Sequence, residues 1–425
     1  MSFNRITQEA ELAKKEVAEL CSKLVQFNSA HPEGRTDECV SFIKDYMDKH
    51  GIKTEIHAKS PTKPNIVAKI LGESKKTILW VGHLDVVPEG KLDQWIYPPF
   101  SGKITDEGLI YGRGSSDMKG ACAAAMVSAR ILSELNEPIP NTMEFWFTAD
   151  EEIGGGDGAR WLSETKRFQG DVCIIGDGEG GGLENPSIDI GCKGGLPTKL
   201  IAKGKTAHGS TPFLGDNAIT KLMKAIPYVE KIAKLKLDIP PELDEVLKNS
   251  TDFLMKTQDL DVKQRRAVKR VFYYPTVSCN IINGGVKRNV VPDYAEAEFD
   301  IRLTPGTNPV KVKEKIENLV KRAKIQGIEV SVTATDRVGY YESPNTAFAQ
   351  KLSETVEKVT GRKPTFKILT GGTDAVSIKR FTGIPCLGYG SLMTGQAHQP
   401  NEHESIENLV LAIKVYTAFP LIYSE

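Results

Sequence analysis

The sequence lacks any long run of apolar residues. Although 40% of its 425 residues are hydrophobic, no stretch approaches the ~18 that a membrane-spanning helix needs. It also lacks a net charge, because 55 lysines and arginines balance 55 aspartates and glutamates. A balanced chain offers no electrostatic reason to bind nucleic acid or a membrane surface. We therefore predict neither kind of partner.

Cysteine is scarce and unpatterned. The seven cysteines are scattered, odd in number and mostly embedded in apolar contexts. This usage predicts reduced core residues in a cytoplasmic protein rather than a disulfide framework. No internal repeat, low-complexity tract or Walker-type phosphate loop is visible, and the glycines at 112 and 114 lack the rest of a dinucleotide fingerprint. Nucleotide chemistry is therefore not indicated.

Histidine is also rare, yet one of the seven ends an apolar run. Residues 77–82 predict a buried strand that leads to His83, and Asp85 follows two positions later. Alternate residues of an extended chain point the same way. We therefore expect the Asp85 carboxylate to accept a hydrogen bond from the second ring nitrogen of His83. Taken alone, a histidine at a strand end is more often structural than a metal ligand.

Other acidic and imidazole groups follow strand-like runs or stand at turns: Asp117, Glu151, Glu152, Asp177 and His398. Each alone has an ordinary explanation, since acidic clusters are common on protein surfaces. Together they predict a metal site. Carboxylates and imidazoles without thiolates suit zinc, with cobalt or manganese as alternatives, and so many carboxylates suit two divalent ions about 3.5–4 Å apart.

The length exceeds what one hydrophobic core usually supports, so two domains are expected. Strands and helices alternate to about residue 190, which predicts an α/β domain with a mixed, largely parallel sheet, and ligands of such sheets gather at the carboxyl ends of the strands. Beyond a glycine-rich hinge at 191–195 the order becomes βαββαβ, an α+β sandwich. We predict a catalytic metal-binding domain from residues 1–194 and 339–425, with residues 195–338 inserted as a lid and dimerisation domain.

One segment of the inserted domain, residues 238–270, is rich in charge and follows neither the helical nor the strand period. We interpret it as a helical excursion on the small domain. A solvated, partly mobile loop is the alternative.

Together these motifs resemble a known family, the co-catalytic zinc amidohydrolases that include acetylornithine deacetylase, succinyl-diaminopimelate desuccinylase, aminoacylase and carboxypeptidase G. The resemblance covers nearly the whole chain. It is carried by GHLDVVP at 82–88, GSSDMKG at 114–120, DEE at 150–152, GKTAHGS at 204–210, NVVP at 289–292 and HQPNE at 398–402. It implies hydrolysis of the amide bond of an N-acyl amino acid, of the desuccinylase or deacetylase type. A dipeptidase or carboxypeptidase acting on a short peptide is the alternative.

The resemblance also implies roles for single residues. His83 and Asp177 would hold one ion, Glu152 and His398 the other, and Asp117 would bridge them, with a cis peptide bond to Met118. Glu151 would be the general base and Asp85 the residue that orients His83. The physical logic agrees, because water shared by two cations loses a proton near neutral pH and Glu151 can deliver that proton to the departing amine.

Assembly is implied in the same way. The inserted domain of the family carries a dimer interface, and a histidine that His208 matches reaches into the active site of the partner. We therefore expect a homodimer in which His208 helps to stabilise the oxyanion, with hinges near residues 194–195 and 338–339. The alternative for His208 is an ordinary surface histidine beside Ser210 and Thr211.

Two ligand assignments have rivals. Desuccinylases and acetylornithine deacetylases usually carry glutamate where Asp177 stands, while dipeptidase-like and carboxypeptidase-like relatives use aspartate. Glu179 is therefore a competing ligand. The aspartate at 177 also leaves the substrate class open between N-acyl amino acids and peptides. His403 competes with His398, and we prefer His398 because its spacing to the following Asn-Glu pair matches the family.

Substrate-binding positions also follow from the resemblance. Residues matching those that hold a substrate carboxylate in relatives are Arg302, Asn283, Lys193, Gly372 and Thr373. A planar guanidinium is suited to bidentate contact with a carboxylate. A salt-bridged strand residue is an equal alternative for Arg302.

Overall fold

The computed structural model describes residues 3–135 and 138–423. The helices are α1 (Phe3–Leu12), α2 (Lys14–Gln26), α3 (Asp37–Lys49), α4 (Gly120–Ser133), α5 (Ala159–Glu164), α6 (Ala218–Glu230), α7 (Asp244–Thr257), α8 (Val262–Val268), α9 (Pro309–Lys321), α10 (Ala347–Thr360), α11 (Ala375–Thr382) and α12 (Ile406–Ile422). The strands are β1 (Lys53–His57), β2 (Asn65–Ile70), β3 (Thr77–His83), β4 (Lys103–Ile104), β5 (Leu109–Tyr111), β6 (Thr142–Thr148), β7 (Val172–Ile175), β8 (Ser187–Cys192), β9 (Gly194–Gly195), β10 (Thr198–Lys203), β11 (Ala207–His208), β12 (Thr276–Gly284), β13 (Val290–Val291), β14 (Tyr294–Leu303), β15 (Ile328–Val332), β16 (Tyr340–Tyr341), β17 (Thr365–Leu369), β18 (Cys386–Gly388) and β19 (His403–Ser405).

The larger sheet has the strand order β1-β2-β6-β3-β7-β18-β8-β16, and β17 pairs with β8. Its centre is parallel, because β3 runs parallel to both β6 and β7, and β18 runs parallel to β7. The outer strands include antiparallel pairs. Strands covered on both faces read as continuous apolar runs, and β6 is buried at every position. This is the mixed, largely parallel sheet that the sequence predicts.

Small residues on α4 let the helices lie close to this sheet. Ala121, Ala123, Ala124 and Ala125 are fully buried, as is most of α12, and both helices belong to the same core. Because α12 is apolar on nearly every face, it suits an enclosed position rather than a surface one.

The smaller sheet has the order β12-β14-β10-β15, with β9 paired to β14, and α6 and α9 pack on it around a separate core. The order β10, α6, β12, β14, α9, β15 is the predicted βαββαβ sandwich. The predicted fold class is therefore confirmed. We propose that this sheet forms the inserted domain at 195–338, since the chain passes between the sheets at β9 and again beside Gly339.

The segment at 238–270 is helical, as we interpreted it, but its expected location is wrong. Val246 and Leu247 of α7 belong to the core of the larger sheet, not to that of the smaller one. The hydroxyl of Ser250 accepts a hydrogen bond from the backbone N–H of Ile368 in β17, at 2.9 Å. The apolar face of α7 is therefore buried against the larger sheet.

Two other expectations concern the whole chain. All seven cysteines are free, as predicted, and six of them are buried. In the part of the chain described, no helix is long and apolar enough to span a bilayer.

Candidate active site

The carboxyl ends of β3 and β6, together with the turn that follows β7, open into one cavity of about 540 Å³. All five predicted metal ligands line it: His83, Asp117, Glu152, Asp177 and His398. The predicted general base Glu151 lines it too. Parallel strands bring their carboxyl ends to one edge, which explains why residues far apart in sequence meet here.

Asp117 lies between two imidazoles. The Nε2 atom of His83 is 3.3 Å from Asp117 Oδ1, and the Nε2 atom of His398 is 3.4 Å from Asp117 Oδ2. His398 Nε2 also lies 3.1 Å from Glu152 Oε2. One ligand atom each from His83, Asp117 and Glu152 falls within 4.8 Å of the others. Asp117 thus has an oxygen facing each histidine, the arrangement expected of a bridging carboxylate.

Buried oxygens without partners show that these residues fit divalent cations. Glu152 Oε1 and Asp177 Oδ1 are buried without a hydrogen-bond partner among the described residues. Buried polar atoms are normally paired, so these two unpaired oxygens indicate a further binding partner such as a cation. Burial also raises the pKa of Asp177 and of Glu151 well above the usual range. A cation between these carboxylates would remove that cost.

The environment of His398 supports the same conclusion. Hydrogen bonds to Asp117 and Glu152 raise the pKa of His398 to about 10. Burial pulls the pKa of His83 down, but the hydrogen bond to Asp117 and the charge of Asp85 outweigh it and raise the pKa. Both imidazoles therefore sit in a strongly negative environment, which favours a positive charge in this position.

Asp85 differs from expectation. His83 Nδ1 lies 2.9 Å from the backbone carbonyl oxygen of Asp85 and 3.8 Å from its carboxylate, so the expected carboxylate hydrogen bond is wrong. The carboxylate instead accepts from the backbone N–H groups of Glu151 and Glu152, both at 3.1 Å, and contacts His31 Nε2 at 2.9 Å. Asp85 therefore orients His83 through its main chain, and its side chain holds the turn that carries the base and a ligand.

Glu402 and Arg113 form a buried ion pair that no sequence pattern predicts. The fully buried Glu402 accepts hydrogen bonds from the backbone N–H groups of Ser116 and Asp117, both at 3.0 Å. Its other oxygen lies 2.5 Å from Nη1 of Arg113, which also donates to the carbonyl of Gln399 at 3.3 Å. The pair joins the Asp117 turn to the His398 loop. The Asp117–Met118 peptide bond in that turn is cis, as the resemblance implied.

The rival ligands are engaged elsewhere. Glu179 lines the cavity, but its carboxylate lies 3.0 Å from the ammonium group of Lys367. His403 Nδ1 lies 2.9 Å from the backbone oxygen of Asn401, and its ring packs against Tyr111 with the ring centroids 4.9 Å apart. Geometry therefore favours Asp177 and His398 over these alternatives.

The predicted substrate-binding residues divide into two groups. Arg302, Lys193, Gly372 and Thr373 line the cavity. The guanidinium Nε of Arg302 donates to Asp300 at 2.8 Å, which leaves both terminal nitrogens for a ligand. The buried Lys193 donates to the carbonyl of Val271 at 2.7 Å, and burial lowers its pKa to about 7.

Asn283 and His208 do not line this cavity. Asn283 lies on the exposed edge strand β12, and His208 is exposed on β11. Nδ1 of His208 accepts a hydrogen bond from the backbone N–H of Ser210 at 3.2 Å. The ring proton therefore belongs on Nε2, which has no partner among the described residues.

A further residue that sequence reasoning missed is Asp374. It is buried, lines the cavity and accepts a hydrogen bond from the hydroxyl of Thr148 at 3.3 Å. Burial raises its pKa to about 7. Asp374 directly follows Thr373 in the sequence, but no pattern indicated that its carboxylate would face the end of β6.

Comparison with known proteins agrees with this site. The model of Peptidase family M20/M25/M40 matches residues 79–421. The chain belongs to this family. A Staphylococcus aureus protein named probable succinyl-diaminopimelate desuccinylase is 29% identical over 415 residues, which cover 95% of this chain and 98% of the relative. As a member of this family, the protein is a metal-dependent amidohydrolase.

Solved structures share the fold of this member of the M20/M25/M40 family. A metallo-carboxypeptidase from Sulfolobus solfataricus is 25% identical, with a TM-score of 0.79 and coverage of 96% of this chain and 99% of the other. A dipeptidase from Saccharomyces cerevisiae is 19% identical, with a TM-score of 0.82 and coverage of 100% and 98%. At that identity the dipeptidase supports the fold alone.

Proposed function

We propose that the enzyme cleaves the amide bond of N-acyl amino acids, in the manner of a succinyl-diaminopimelate desuccinylase. The observation that carries the proposal is a single cavity that holds Glu151, the five metal ligands and the free terminal nitrogens of Arg302. The similarity to the S. aureus desuccinylase along almost the whole chain supports the substrate class. The carboxypeptidase fold neighbour keeps cleavage of short peptides as the second candidate.

We assign two cations to the site, with zinc as the expected metal. His83 and Asp177 would bind one cation, and Glu152 and His398 would bind the other. Asp117 would bind both cations. Such a pair would lower the pKa of bound water and would polarise the amide oxygen. The carboxylates of Asp85 and Glu402 accept hydrogen bonds from backbone N–H groups of Glu152 and Asp117, which fixes the turns that carry these two ligands.

Glu151 is assigned the proton transfers. No described side chain hydrogen-bonds to its carboxylate, whereas its backbone N–H is fixed by Asp85 at 3.1 Å. The carboxylate is therefore free to accept the proton from water and donate it to the leaving amine. Arg302, beside Gly372 and Thr373, is assigned the carboxylate of the amino-acid product.

We assign His208 to the site of a partner subunit. Its exposed Nε2–H suits an oxyanion donor, yet His208 is absent from the cavity lining of its own chain. The edge strand β12 and nearby exposed apolar side chains offer a surface for a second copy: Phe213, Leu214, Met223, Ile281, Ile282 and Val286. Asn283 lies on the same strand, so we assign it to the partner's substrate as well.

The function is tested with a substrate panel. Metal-loaded enzyme should hydrolyse N-succinyl or N-acetyl amino acids with a kcat/KM at least about tenfold above that for dipeptides, since one pocket contact typically discriminates by that factor. Metal-stripped enzyme is the control and should act on neither. Preferred cleavage of the dipeptides would replace the proposal with the peptidase alternative.

Metal content is a second expected result. Because the ligand set would otherwise leave Glu152 and Asp177 oxygens unpaired, loaded protein should hold about two divalent ions per chain. Titration of metal-stripped protein with Zn²⁺, followed by calorimetry and elemental analysis, measures this number and detects a weaker second ion. A single tight ion with no weaker second one would contradict the assignment. The Asp177→Ala variant should lower the number towards one.

A further inference from the structure

The cavity is lined by four arginines, and three of them have an acidic partner. Arg160 pairs with Glu164 at 2.9 Å, Arg302 with Asp300 at 2.8 Å, and Arg380 with Asp336 at 2.8 Å. Arg337 is the exception, because its guanidinium has no acidic or hydrogen-bonding partner among the described residues. Neighbouring acids are available, but they are occupied by other arginines.

The position of Arg337 places that free charge next to the catalytic turn. A Cβ atom added to Gly154 would lie 3.5 Å from Nη2 of Arg337. Gly154 directly follows the turn Glu151–Ile153, which carries the proposed base and a proposed metal ligand. The absence of a side chain at Gly154 leaves the guanidinium open to the cavity on this side.

Arg302 faces a different wall. A Cβ atom added to Gly372 would lie 3.6 Å from Nη1 of Arg302. The cavity therefore has one guanidinium beside Gly372 and a second beside Gly154, with the proposed metal ligands also lining it. A substrate that carries a carboxylate on each side of its amide bond would satisfy both.

We propose that Arg337 forms an anion subsite that binds a carboxylate on the acyl chain of the substrate, and so selects dicarboxylic acyl groups such as succinyl over acetyl. This inference rests on the proposed function, in which Arg302 takes the amino-acid carboxylate. Arg337 lies on the segment that returns from the smaller sheet, and its backbone oxygen accepts from Gly195 N–H at 2.9 Å. Its main chain is therefore fixed where the two sheets meet, while its side chain is free.

The test compares an N-succinyl amino acid with its N-succinamoyl analogue, which has the same shape but replaces the acyl carboxylate with a neutral amide. Wild type should favour the succinyl substrate by about tenfold or more in kcat/KM, the usual worth of a hydrogen bond to a charged group. Arg337→Gln should remove this preference by lowering only the succinyl value, and Arg337→Lys should restore part of it. Arg322→Gln, an exposed arginine at the end of α9, should change neither.

Equal loss for both substrates in Arg337→Gln would overturn the subsite, because it would show a structural role. An unchanged preference would overturn it as well. A calorimetric comparison of succinate with succinamate binding to metal-loaded wild type, Arg337→Gln and Arg322→Gln tests the subsite without turnover. If no N-acyl amino acid is hydrolysed, the proposed function fails, and the succinate measurement still decides whether Arg337 binds the second carboxylate.

Discussion

Glu151→Gln should reduce turnover by about 10²–10⁴-fold while the protein keeps its metal, because glutamine retains the shape of the side chain but cannot accept a proton. We propose different roles for these two adjacent carboxylates. Glu152 has one oxygen 3.1 Å from His398 and another that is buried without a partner among the described residues, whereas no described side chain hydrogen-bonds to the carboxylate of Glu151. Activity and elemental analysis on the same sample measure both properties.

Matched variants sharpen this experiment. Glu152→Gln should lose metal together with activity, and Glu357→Gln, at an exposed position of α10, should lose neither. Thermal unfolding of each variant checks that the fold remains intact. Loss of metal from the Glu151→Gln protein would make Glu151 a ligand and would leave the general base unassigned.

The meeting of His83, Glu152 and Asp177, three of the proposed ligands, was predictable because each lies at or just beyond the end of a strand. A strand that ends in a histidine or carboxylate brings that group to the edge of a parallel sheet whatever the remaining chain does. The strands and helices of the smaller domain could also be predicted, because each depends on the local pattern of apolar and capping residues. Asn217, for example, caps α6 by accepting a hydrogen bond from Thr220 N–H at 3.0 Å.

Contacts between distant segments were not predictable in this way. The Asp85 carboxylate was expected to face its neighbour two residues away, but it is taken by His31, 54 residues earlier, and by the turn at Glu151. Glu402 and Arg113 are 289 residues apart. Likewise, the amphipathic face of α7 indicates that something covers it, but the covering strand β17 comes more than a hundred residues later. The hydrophobic period of a sequence shows which face of a helix is buried, but it does not show which segment covers that face.

Mixing two inactive variants should restore activity, and this result decides whether His208 works across a dimer. A His208→Ala chain keeps Glu151, and a Glu151→Gln chain keeps His208. In a twofold dimer, the heterodimer therefore contains one complete composite site and one that lacks both groups. Random exchange of equal amounts makes about half of the dimers mixed, so about a quarter of wild-type activity should return. Each parent alone should stay reduced, by about 10²–10³-fold for loss of the oxyanion donor.

The double variant His208→Ala/Glu151→Gln provides the opposite control. Its heterodimer with wild type has no complete site, because one site lacks the base and the other lacks the histidine. Adding an equal amount should therefore lower wild-type activity to about half its starting value after exchange. Native mass spectrometry with isotope-labelled chains measures how far exchange has gone. If exchange is complete, yet the single variants do not complement and the double variant does not inhibit, then His208 contributes nothing across the interface. A reduced His208→Ala parent would then place its role within its own chain, and a fully active one would make it an ordinary surface histidine.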